Sequence, residues 1–269
     1  MLSHYAASKL MDHLFDKASY SPPSLYIALL TAAAVATDTG STITEPSGGS
    51  YARLATSGSD WGSPSGGEIT NTSDLYFPDS TGSWGDIVGL AICDASSGGN
   101  VLFSTSLTST RTIGTDVTPK FPAGDIVLAF QSAATISNYL RNALLGHVMG
   151  KGAYTTPGIY AGLVTVTPTR TSTGSTISEP DGNFARVATT SSTWTSASDG
   201  VTTSAADIEM VKATSTWSSG GNMTAIVLVD DPTVGDGNLL AWCVPTTPKN
   251  VIIADKPLID SGILSFTLS

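Results

Sequence analysis

Two stretches of the chain carry apolar residues at helical spacing, and each is followed by a series of short apolar runs of strand length. Tyr5, Leu10 and Leu14, with alanines between them, share one helical face, and Ser3 precedes them as an N-cap. Ile136, Tyr139, Leu140, Ala143, Leu144 and Val148 repeat that face, and Gly146 and Gly150 mark its end. After the first helix, residues 25–30, 51–55, 87–93, 101–103 and 126–130 read as strands. After the second, residues 159–166, 184–188, 224–229, 239–242 and 262–268 do the same. The run 25–30 behind Pro22-Pro23 is continuously apolar and suits a buried strand, and Gly- and Ser-rich residues 94–100 suit a hairpin loop.

The two series are copies of one unit. Thr39-Gly40-Ser41-Thr42-Ile43-Thr44-Glu45-Pro46 returns as Thr173-Gly174-Ser175-Thr176-Ile177-Ser178-Glu179-Pro180, with seven identities in eight positions and an offset of 134. Tyr51-Ala52-Arg53 returns as Phe184-Ala185-Arg186, Trp61 as Trp194, and Gly99-Asn100-Val101-Leu102 as Gly237-Asn238-Leu239-Leu240. The offset has then grown to 138, as insertions in loops allow. The expected fold is mainly β: two tandem domains, each an N-terminal helix plus an antiparallel β-sandwich of about seven or eight short strands, jelly-roll-like in form. The copies span residues 1–132 and 133–269 and meet near 131–135. No Pro- or Gly-rich linker separates them, so they are expected to pack closely.

Composition narrows the function. Charged residues make up 13 %, against a usual share of about 25 %, while 41 % are apolar. General disorder is therefore excluded. The net charge of −10 and the scattered basic residues argue against a nucleic-acid partner. No apolar run is long enough for a membrane span or a secretory signal. Cys93 and Cys243 lie far apart inside apolar runs and read as buried free thiols.

Catalytic patterns are missing: no nucleophile elbow, phosphate loop, dinucleotide fingerprint or His-Glu-x-x-His pair occurs. His13 and His147 are repeat-equivalent and read as helix residues at a packing edge. Asp94 and Asp230 end apolar runs and read as turn-forming side chains. Asp230, Asp231, Asp236 and Asn238 could crowd oxygens about a calcium ion, but copy one lacks the extra aspartates. No cofactor is implied. Arg53 and Arg186 stand among small apolar residues and need partners, since an unpaired buried charge is costly. Glu45 and Glu179, eight and seven residues upstream, are the first candidates for a structural ion pair in each copy. An anion site is the alternative.

Helix, Pro22-Pro23-Ser24-Leu25-Tyr26-Ile27-Ala28-Leu29, Tyr51-Ala52-Arg53 and Phe77-Pro78 resemble a virion protein family of tailed double-stranded-DNA phages. Trp84-Gly85, Gly89-Leu90-Ala91-Ile92-Cys93-Asp94 and Phe121-Pro122-Ala123-Gly124-Asp125 extend the resemblance through nearly all of copy one. In copy two, Phe77-Pro78 becomes Met210-Val211 and Phe121-Pro122 becomes Ile259-Asp260. The resemblance implies a non-enzymatic virion protein, made in the host cytoplasm. The reading placed first is a capsid decoration or cement protein on the capsid surface. It would bind the major capsid protein and itself, with a trimer as the simplest oligomer and copy one gripping the shell. The alternative is a tail-fibre or baseplate component contacting the host, and the third reading is a carbohydrate-binding jelly roll that stacks sugars on surface Trp and Tyr.

Overall fold

The computed structural model describes residues 1–130 and 135–269. The division at 132/133 therefore lies outside the described residues, as does all of the 131–135 meeting point except Thr135. The first half contains α1 (His4–Leu14), β1 (Leu25–Leu30), β2 (Leu54–Thr56), β3 (Glu68–Thr70), β4 (Leu75–Tyr76), β5 (Gly85–Cys93), β6 (Val101–Ile113), β7 (Lys120–Phe121) and β8 (Val127–Ala129). The second repeats it with α2 (Asn138–Val148), β9 (Ile159–Val164), β10 (Val187–Thr189), β11 (Val201–Thr203), β12 (Ile208–Glu209), β13 (Ala225–Val229), β14 (Leu239–Cys243), β15 (Leu258–Ile259) and β16 (Ser265–Thr267).

Local chemistry sets the helices. Ser3 and Ser137 are extended, and their hydroxyls accept from the Ala6 and Leu140 amides. Leu10 and Leu14, with Leu144 and Val148 in the other helix, form the buried stripes. Both helices stop on a left-handed residue, Asp16 in the first and Gly150 in the second.

Each half holds a four-stranded antiparallel sheet, in the order β2-β1-β5-β6 and β10-β9-β13-β14. The central position of β1 explains its unbroken apolar run. Leu25, Ile27 and Leu29 face the main core, while Ala28 and Leu30 join Ala91, Cys93 and Val101 on the other face, against Ala34 and Ile43. The strand expected from Tyr51 starts at Leu54, because the Tyr51 amide is tied into a turn on Gly48 and its hydroxyl accepts from the Leu29 amide.

The second layer differs from a jelly roll. β3–β8 and β4–β7 are two-stranded ladders, continued by Asn71 N–H to Ile126 O and Ser80 N–H to Val117 O into one bent ribbon. β11–β16 and β12–β15 form the same ribbon in the second half. Helices fill the space that further strands would take. α1 packs on β6 of its own half and on β11 of the other, and α2 packs on β14 and on β3.

The main core therefore runs without a break through both halves. Phe15, at the end of α1, lies 4.5 Å from the Trp194 ring and 6.1 Å from Phe266, both in the second half. The contacts obey a pseudo-two-fold. Ser8 accepts from the Gly200 amide, as Asn142 does from Gly67. Lys17 donates to Trp194 O, as Lys151 does to Trp61 O. Arg141 breaks the symmetry: it stands where copy one has Ala7 and donates to Gly66 O and Phe130 O of the first half. The sheets differ too. β14 ends just ahead of Pro245, which cannot donate to a ladder, whereas proline-free β6 runs on for 13 residues.

Candidate functional site

The candidate residues of each copy converge at one end of its four-stranded sheet. Arg53 immediately precedes β2, Glu45 lies on the loop after β1, and the β5–β6 turn closes over both. The Arg53 guanidinium is saturated. Nε and Nη2 donate to the Glu45 carboxylate, with Nη2 to Oε1 at 2.6 Å. Nη1 donates to Ala95 O and Gly98 O, and Nη2 also to Gly40 O. One side chain thereby ties the β1–β2 loop to the β5–β6 turn. The approach is close: a Cβ on Gly40 would sit 1.9 Å from Gly98 O, so only glycine fits there.

Arg186 and Glu179 build the same cage. Nε to Oε1 is 2.7 Å, Nη2 donates to Oε2 at 2.8 Å, and Nη1 donates to Asp231 O and Asp236 O. The neighbours of the carboxylates differ. In copy one the Tyr51 hydroxyl donates to Glu45, and burial with that bond pushes the phenol pKa up. In copy two Phe184 has no hydroxyl, and the Gly235 amide donates to Glu179 instead. Both guanidiniums have all their N–H groups engaged, so neither offers a donor to an outside anion.

Asp94 and Asp230 each hold the turn that follows them. Their carboxylates accept from the backbone and side-chain amides of Asn100 and Asn238. Asp231 accepts from the Thr233 amide. Among the described residues, no cluster of three ligating side chains suits a metal ion. All five tryptophans are buried, so no indole forms a sugar-stacking platform. Cys93 is buried, and burial pushes its thiol up to about 11. Cys243 is only half-buried, at the exposed end of β14.

Sequence reasoning expected the halves to pack closely but missed the residues that form their junction. His13 and His147, read as packing-edge residues, stack on each other there with ring centroids 4.7 Å apart. Their repeat equivalence was the available signal, since a pseudo-two-fold axis brings equivalent residues face to face. Two open clefts of about 330 and 320 Å³ flank the junction, each between one helix end and the other half's first strand.

The family model for the Podophage GP4 fiber I protein gp80 matches the chain twice, over residues 1–129 and 135–267. No curated protein matches it. The repeated offset, the duplicated helix-plus-sheet fold and the duplicated arginine cage coincide with those two segments. The chain belongs to the Podophage GP4 fiber I protein gp80 family, and is a fibre-related structural protein of a tailed-phage virion with two tandem copies of the family unit.

Proposed function

We propose that this chain is a tail-fibre component of the virion rather than a decoration of the capsid shell. The observation that carries this is the match of both halves to a fiber I protein family. It moves the fibre alternative ahead of the capsid reading that the sequence placed first. The architecture supports a mechanical, non-catalytic role. The copies are locked by a shared core, and two loops in each copy are pinned together by one saturated arginine. A stiff two-lobed body suits a part that holds a fixed shape between the particle and its surroundings. Assembly with further copies of itself belongs to the same proposal.

Copy number per particle tests it. Quantitative mass spectrometry of purified virions, scaled to the major capsid protein, is expected to give tens of copies or fewer, and antibody labelling is expected to mark the tail. Hundreds of copies spread over the head would restore the decoration reading.

A further inference from the structure

The stacked imidazoles of His13 and His147 have a hydrogen-bond pattern that fixes their protonation. The rings lie 17° from parallel, and both are buried. The Tyr20 amide donates to His13 Nδ1 at 3.2 Å, and the Tyr154 amide donates to His147 Nδ1 at 3.0 Å. On the far side of each ring, His13 Nε2 meets Tyr154 O at 2.7 Å, and His147 Nε2 meets Tyr20 O at 2.6 Å. A backbone N–H only donates and a carbonyl only accepts. Each ring is therefore neutral, bare at Nδ1 and protonated at Nε2. Each accepts from its own copy and donates to the other, so the two rings bind the halves reciprocally.

We propose that this pair is an acid-sensitive latch, which holds the junction closed while both rings are neutral and loosens it when either gains a proton. A proton on Nδ1 would face the donor N–H of Tyr20 or Tyr154 and break that bond. It would also place a buried charge against a second imidazole.

The surroundings offer no compensation. The Tyr20 and Tyr154 rings face the pair, at 6.0 Å from His147 and 6.4 Å from His13. On α1, Asp12 is engaged with the Ala197 amide, and Asp16 lies in the left-handed turn beyond the helix end. Lys17 and Lys151 donate to carbonyls of the opposite half. Asp94 acts on Tyr5 and Tyr20, and Asp230 on Tyr139 and Tyr154. Among the described residues, the only histidine within ion-pair distance of a carboxylate is His4, on Asp199. Burial first, and then His13, pull the His147 pKa down against the Tyr20 carbonyl.

The sign follows from linkage. A ring held neutral in the folded chain contributes stability that is fully present above the unfolded value of about 6.5 and is lost as pH falls from there toward the folded value. At pH 5 the loss for His147 can rise to at most about thirtyfold in the folding equilibrium, the limit in which the folded ring stays neutral.

The test compares thermal and denaturant unfolding of the full chain at pH 7.5 and 5.0 with that of the His13→Gln/His147→Gln variant. Its amides can accept and donate but do not titrate, and His4 is kept in both proteins. The wild type is expected to lose about tenfold more in its folding equilibrium than the variant does. Equal losses would place the acid sensitivity on groups other than the two rings and overturn the proposal. Should the variant fail to fold, imidazole nitrogen spectra of the wild type decide. Nε2–H rings at pH 7, with protonation shifting the Tyr20 and Tyr154 amides, support the latch. A proton on Nδ1, or protonation that leaves those amides unmoved, overturns it.

Discussion

Arg186→Met is expected to destabilise the chain by about 3–5 kcal/mol, because it leaves a buried carboxylate without its counter-charge. For a chain of this size that corresponds to a fall of roughly 10 °C in the thermal midpoint. The Arg186 side chain is 0 % exposed and Glu179 only 3 %. Without the guanidinium, Glu179 keeps the Gly235 amide, while Asp231 O and Asp236 O lose their donor. Arg53→Met should cost less, about 2–4 kcal/mol. Glu45 is 17 % exposed and retains the Tyr51 hydroxyl, so water and a neutral donor take over part of the missing partner's work. Thermal midpoints of the two variants, measured side by side at pH 7, check the order. A larger fall for Arg53→Met would show that the Tyr51 bond does not compensate. Tyr51→Phe, which copies the Phe184 environment, should then bring the Arg53→Met effect toward that of Arg186→Met.

Pattern reasoning reached the parts of this fold that are local. The Ser3 cap, the apolar stripe of each helix and the unbroken run of β1 depend on near neighbours or on simple burial, and all are written in short segments. The Glu45 and Glu179 pairings were legible for another reason: a charge among small apolar residues needs an opposite charge close by, and the glutamate of each adjoining loop recurs at the equivalent position of the repeat. The second layer was not legible. Whether residues 68–76 pair with one strand or several depends on α2, some 70 residues away, filling the space beside β3. The residues that meet at the junction were hidden for the same reason. Phe15 looks like the last apolar residue of a helix, and nothing within its own half shows that its ring belongs against Trp194. Capsid and tail were not separated by sequence either, because both demand a compact, non-catalytic surface.

Because α1 and α2 each complete the other half's core, the two copies are expected to unfold as one unit. At about 0.7 kcal/mol per residue, a single cooperative transition of the whole chain carries an enthalpy of about 190 kcal/mol. The van't Hoff value should match it, whereas two independent copies would give a van't Hoff value near half of that. Phe15→Ala sharpens the test. The ring is buried between Trp194 and Phe266 of the second half, and its removal should cost about 3–5 kcal/mol. If the core is shared, calorimetry of this variant shows one transition moved down by roughly 10 °C, with none left at the wild-type temperature. If the halves are energetically separate, one transition moves and another of similar size stays. The first outcome makes the chain a covalently joined two-fold pair whose lobes cannot open singly without exposing the other's core. The second would confine the junction to surface docking and remove the mechanical argument for a stiff two-lobed body.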